Sequence, residues 1–343
     1  MAMYFETYGG YLRIVPLRII FLLLLLSTLT LAQRNQRRPP IIDVHMHAHA
    51  ANRFGKVGIP NPITNKPSAA TTDEALLQAA LAAMRRYNIV KAYASSRLDS
   101  VERWRVAGQG RIIGGAQIDQ GIPAPDINQL RQDFLSGRLG FMGEIGAQYL
   151  GLLPTDSMLE PYFALAEELN IPVGIHTGIS SPNTPYECCP KFRTSLGNPM
   201  LLEEVLIRHP KLRVNLMHAG YPYLQDTIAI MSVYPQVYAD LGAIDWIIPR
   251  PEFHAYLQAL IRAGFGKRLM FGSDQMIWPE AIGMAIEGIE SARFLTYQQK
   301  RDIFYNNAVR FFRLEDRQPR RTSLRRSAPS TTHSTGARIE CFS

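Results

Sequence analysis

The stretch IIDVHMHAHA, Ile41 to Ala50, sets an aspartate and three histidines on alternate positions behind two branched apolar residues. Read as a strand, it puts Asp43, His45 and His47 on one face and Val44 and Met46 on the other. Two imidazoles at i and i+2 near a strand end can converge on one cation, at metal–nitrogen distances of about 2.0–2.1 Å. Alone, His-x-His is a weak pattern. Its company makes it informative. Glu144 stands in GFMGEIG, His176 in VGIHTG, His218 in NLMHAG and Asp274 in MFGSD, each at the end of an apolar run and followed by a glycine or turn residue. The chain has eight histidines, and four belong to this set. The chemistry open to such a set is metal-assisted proton transfer and water activation.

The elements that must position these residues form a regular rhythm. Apolar, β-rich runs alternate with amphipathic helical patterns from Ile41 onward. The runs are IIDVHMH, IVKAYASS, RIIGGAQI, GFMGEIG, IPVGIHTG, LRVNLMHAG, VYADLGA and RLMFGSD. Between them, helices are expected at about 72–87, 99–106, 126–136, 157–170, 198–210, 223–233 and 251–265, with a closing pair near 281–289 and 296–312. Asp156 reads as the cap of the fourth. Eight near-continuous apolar strands buried on both faces predict a single-domain (β/α)8 TIM-like barrel over residues 41–314. An open doubly wound sheet is the structural rival. Polar residues at the C-terminal strand ends, where barrel active sites are built, favour the barrel.

The order His-x-His, strand-four carboxylate, His, His and Asp resembles the amidohydrolase superfamily. IIDVHMH, HPKLRVNLMHAG, MFGSD and IFYNNAVRFF are similar to its amidohydrolase-related branch of metal-dependent hydrolases, which also holds non-oxidative decarboxylases. The resemblance spans about Ile41 to Leu314. It implies a divalent metal, zinc by preference, as one or two ions. With one ion, His45, His47, His176 and Asp274 would hold it and His218 would polarise the substrate. With two, Glu144 would bridge, and His176 and His218 would hold the second. Glu144 as an orienting partner of a histidine stays open. Hydroxide made available by the ion would attack a carbonyl or phosphoryl centre, with Asp274 accepting the proton and His218 donating to the developing charge. The implied activity is hydrolysis of an amide, ester or lactone-like bond. The rivals are decarboxylation of an aromatic or enol carboxylate and, behind it, phosphoester hydrolysis. A barrel kept as a binding module would not need Asp274 beside a water.

Other residues carry weaker signals. Asp43 reads as a buried carboxylate bonded to backbone, and His49 as a loop histidine or substrate contact. His209 and His254 read as surface or packing residues, and Asp240 as a candidate pocket lining. In the long loop SSPNTPYECCPKFRTSLGNP, Lys191 and Arg193 could hold a substrate anion beneath Tyr186. Tyr221, Tyr223 and Trp278 are candidate apolar walls. Cys188 and Cys189 are expected to pack and not to pair, because a bridge between neighbours strains the intervening peptide.

The net charge of +8 is misleading. Residues 1–40 carry +4 and residues 314–343 carry +3, leaving +1 on the barrel. A basic face for nucleic acid is therefore not expected, and the anticipated partner is a small-molecule substrate. Arg13 and Arg18 ahead of IIFLLLLLSTLTLA predict a signal peptide over 1–32, hence export to the periplasm or beyond. Membrane contact is expected only if that segment stays uncleaved. Residues 33–40 read as a linker and 315–343 as a disordered basic tail. A homo-oligomer is compatible with the sequence.

Overall fold

In this computed structural model the described residues are 38–314. The expected signal segment, most of the linker and the basic tail lie outside them. The eight strands are β1 (Ile41–His47), β2 (Ile89–Ser96), β3 (Ile112–Ile118), β4 (Leu139–Ile145), β5 (Val173–His176), β6 (Val214–Met217), β7 (Val237–Asp240) and β8 (Leu269–Met270). They pair in parallel in chain order. Backbone bonds from Val44 N to Phe271 O (3.0 Å) and from Asp274 N to His45 O (2.8 Å) bring the segment after β8 back onto β1. The result is the expected TIM barrel.

The helix Asp73–Tyr87 shows how sequence becomes packing. Thr72 Oγ1 accepts from Ala75 N, Asp73 and Glu74 sit in the first turn, and Asn88 closes the other end in the left-handed region at φ 55°. Leu76, Leu77, Ala80, Leu81 and Met84 then form one buried stripe against the barrel. Two helices differ from expectation. The fourth starts at Glu160, not near 157, because the Asp156 carboxylate accepts from Met158 N inside a separate turn. The pattern at 198–210 divides into a tight turn, Pro199–Leu202, and a short helix, Glu203–Arg208. Here Pro199 starts the turn, with the Asn198 side chain accepting from Met200 N. The linker's last residues are docked, since both Arg38 terminal nitrogens bind the Glu290 carboxylate at 2.8 and 3.2 Å.

Strict alternation along β1 is not kept. Ile42 and Val44 join Tyr93, Phe141, Met270, Phe311 and Phe312 in a separate cluster, while Met46 packs in the main core. The pairing register with β2 shifts between Asp43 and Met46. Within that shift the Asp43 carboxylate accepts from His45 N (3.1 Å) and Ser273 N (3.0 Å), which ties the irregular backbone to the strand-eight segment. Asp43 is thus the buried, backbone-bonded carboxylate its position suggested.

Candidate metal centre

Six side chains expected from the sequence meet at the C-terminal mouth of the barrel. His45 and His47 come from β1, Glu144 from β4, His176 from β5, and His218 and Asp274 from just past β6 and β8. All are buried. Among the described residues, three overlapping groups have ligand atoms within 4.8 Å of one another: His45, His47 and Glu144; Glu144, His176 and His218; and His45, His218 and Asp274.

Glu144 lies between the histidine pairs. Its Oε2 is 3.4 Å from His47 Nε2 and 3.9 Å from His45 Nε2. Its Oε1 is 2.6 Å from His176 Nδ1 and 3.6 Å from His218 Nε2. One carboxylate oxygen therefore faces each pair. Asp274 Oδ1 closes the first group, 3.0 Å from His47 Nε2 and 3.7 Å from His45 Nε2.

The backbone is shaped to make this possible. Gly143 has φ +152°, and a Cβ there would stand 2.9 Å from Gly174 O and 3.1 Å from Gly174 N, so Glu144 reaches the centre only behind a glycine. Gly272 likewise leaves room for His45, whose Cβ would be 2.6 Å from an added one. His218 and Asp274 both adopt positive φ, 62° and 43°. Such strained non-glycine backbone persists where its surroundings over-determine it.

The electrostatics suit a cation. Burial raises the cost of ionising Glu144, but hydrogen bonding and charge from His176 outweigh it and hold the carboxyl well below its ordinary value. Burial also opposes protonation of His45, yet Asp240 and Asp274 push it well above the ordinary histidine range. His45 Nε2 and Asp274 Oδ1 are buried without a hydrogen-bond partner. Buried polar atoms left unpaired beside facing carboxylates suit a positive centre, and the nitrogen and oxygen donors fit a divalent metal.

A second layer holds these residues in place. Asp240 does not line the pocket: it is fully buried, its Oδ1 3.2 Å from His45 Nδ1 and its Oδ2 accepting from Asn215 Nδ2 at 2.7 Å. His218 Nδ1 lies 2.8 Å from Gly242 O. The Gln275 amide clasps the His47 backbone at both N and O, at 2.9 and 2.6 Å. The Asp240 and Gly242 contacts fix which ring nitrogen of His45 and His218 faces inward. Sequence reasoning alone missed Gln275, Tyr149 and Asp119. Asp119 follows directly on β3, so the strand-end rule that found Glu144 reaches it too.

Several weaker expectations change. His49 is buried, stacked on His47 with centroids 4.3 Å apart, and its Nδ1 is 3.0 Å from Ser96 Oγ. Of the two readings of His209, surface or packing, the structure has packing: it is buried between Glu167 (3.1 Å) and Glu160 (2.8 Å). His254 caps Gly288 O at 3.0 Å. Cys188 and Cys189 are joined as a disulfide, contrary to expectation. The turn around them is held by bonds from both cysteine amides to Thr184 O, a conformation that neighbour strain alone did not forbid. Arg193 donates to Pro190 O and Phe192 O of its own loop, and Tyr186 stands in solvent. Trp278 stacks on Phe54, ring centroids 6.0 Å apart. Two adjoining cavities of about 260 and 330 Å³ open beside β1 to β3, sharing Ser96, Arg97, Asp99 and Ile122; Arg53 and Arg103 line the first.

Comparison with known proteins agrees with the fold. The family model described as Amidohydrolase matches residues 42–314. Protein fluG of Emericella nidulans is 25% identical over 207 residues, 56% of this chain, which spans about 21% of that protein's length. Among solved structures, an uncharacterized Tim-barrel protein from Bordetella bronchiseptica superposes with TM-score 0.59 at 18% identity, over 81% of this chain and 100% of that one. A probable 2-pyrone-4,6-dicarboxylic acid hydrolase from Acinetobacter baumannii, with citric acid bound, gives 0.55 at 15%, over 79% and 98%. A 5-carboxyvanillate decarboxylase from Novosphingobium aromaticivorans, complexed with manganese, gives 0.53 at 16%, over 81% and 96%.

Proposed function

Since this chain belongs to the amidohydrolase family, we propose that it is a metal-dependent hydrolase acting on an amide, ester or lactone-like bond of a small molecule. The observation that carries the reading is the Glu144 carboxylate, with one oxygen toward His45 and His47 and the other toward His176 and His218. In this reading Glu144 would bridge two ions, for which zinc is our first choice and manganese the second. A bound divalent ion supplies Lewis acidity and makes hydroxide available near neutral pH. Asp274 Oδ1, which faces both β1 histidines, would take the proton released at attack and return it to the leaving group. His218, its Nδ1 held by Gly242 O, turns Nε2 inward and would hold the second ion with His176.

The rival reading is decarboxylation, as in the manganese-bound structural relative. The two separate cleanly. Metal-loaded protein is incubated in oxygen-18 water with lactones, esters and amides bearing a carboxylate. Label appearing in the product carboxylate supports hydrolysis; release of carbon dioxide without label overturns it. Export is also part of the proposal, resting on residues 1–32, and sequencing the N-terminus of the protein made in its own host tests it. Among the described residues no helix is long and apolar enough to cross a membrane.

A further inference from the structure

Beyond the ligand set, a run of hydroxyls leads away from His176. Tyr149 Oη lies 3.4 Å from His176 Nε2, the ring nitrogen that points away from Glu144. Tyr149 Oη donates to Ser180 Oγ at 2.9 Å. Ser180 Oγ and Thr184 Oγ1 are 2.9 Å apart. Thr184 Oγ1 donates to Ser181 O at 2.7 Å. The last link decides the direction of all the others. A carbonyl only accepts, and a hydroxyl has one proton. Thr184 gives its proton to Ser181 O, so it accepts from Ser180. Ser180 then has none left for Tyr149 and must accept from it. Tyr149 in turn spends its proton on Ser180 and presents only lone pairs to His176.

We propose that Tyr149, through Ser180 and Thr184, is a positioning residue that fixes His176 with its proton on Nε2 and its Nδ1 lone pair free for a metal. The inference rests on the metal-centre reading of the previous subsection and adds what selects the coordinating nitrogen. His176 Nδ1 is the atom 2.6 Å from Glu144 Oε1 and 3.1 Å from His218 Nε2, so the selected nitrogen is the one facing the centre. The relay is built rigidly. Thr184 is buried, and its carbonyl accepts from Cys188 N (3.3 Å) and Cys189 N (3.0 Å) in the disulfide-closed turn. Phe192 packs against the Tyr149 ring at 5.3 Å, and the Tyr149 ring meets His176 edge-on at 4.8 Å.

The test uses the full chain stripped of metal and titrated with Zn²⁺ by calorimetry, and with Co²⁺ by visible absorption. Tyr149→Phe keeps the ring packing and removes the acceptor; Thr184→Val keeps the shape and removes the terminal donor. Each is expected to weaken the ion held by His176 about 10- to 100-fold and to alter the Co²⁺ spectrum of that ion, leaving the ion held by His45 and His47 in place. Thermal unfolding of the metal-free variants is the folding control. Wild-type affinity and an unchanged Co²⁺ spectrum in both folded variants would overturn the proposal. A wild-type protein whose ions are indifferent to His176→Ala would overturn the metal-centre reading itself, and the relay with it. Should Tyr149→Phe fail to fold, Thr184→Val, which leaves the ring untouched, decides the matter.

Discussion

Asp119→Asn should reverse part of the pH dependence of stability in the metal-free protein. Burial beside Glu144 pushes the Asp119 carboxyl from 3.8 up to about 6, with Arg53 only partly offsetting it. The carboxyl is 14% exposed, so solvent screening is modest. A group whose folded pKa is raised holds its proton more tightly when folded. Its contribution to stability is complete below pH 3.8 and is lost as pH rises through about 6. At about 1.36 kcal/mol for each tenfold change in proton affinity, the full loss is about 3 kcal/mol. Asparagine cannot ionise and avoids that loss, though it forgoes the Arg53 ion pair, worth about 0–1 kcal/mol. Urea unfolding of both proteins in EDTA at about pH 4.5, 5.5, 6.5 and 7.5 gives the difference directly. Asp119→Asn should gain on wild type across that range, by about 2 kcal/mol in all. A difference that is flat with pH, or that moves toward wild type, would refute the burial argument.

Other outcomes follow from packing. Gly143→Ala should cost about 1–3 kcal/mol, from φ +152° and the contacts with Gly174, and should lower metal content, because Glu144 must move. Urea midpoints and bound metal by elemental analysis check both parts. Phe163→Ala, emptying a fully buried site beside His209, should cost about 3–5 kcal/mol in the same unfolding assay without changing metal stoichiometry.

The barrel was legible because its strands are buried on both faces and so read as apolar runs, each ending in a polar residue. His45, His47, Glu144, His176, His218 and Asp274 could be singled out because strand ends in a barrel all lie at one mouth. Strand lengths were less legible: RLMFGSD pairs as a strand only at Leu269 and Met270, after which the chain bends to place Asp274. The break in alternation along β1 was invisible, since it depends on Ser273 reaching Asp43 from the far end of the chain. The partners of His209 and Asp240 were hidden for the same reason. A histidine before a proline reads equally as surface or packing until Glu160 and Glu167 close on it. An aspartate at a strand end looks like a pocket residue until Asn215 and His45 take both its oxygens. Tyr149 carried no local signal, because its role comes from Ser180 and Thr184 on another loop.

The central claim is that Glu144 joins two metal sites. It is tested most directly by counting metal per chain in wild type and in Glu144→Gln. The account predicts two equivalents of divalent metal in wild type, falling toward one in the variant, with the fold intact by circular dichroism. An unchanged count in Glu144→Gln, together with a single equivalent in wild type that survives His176→Ala, would contradict it.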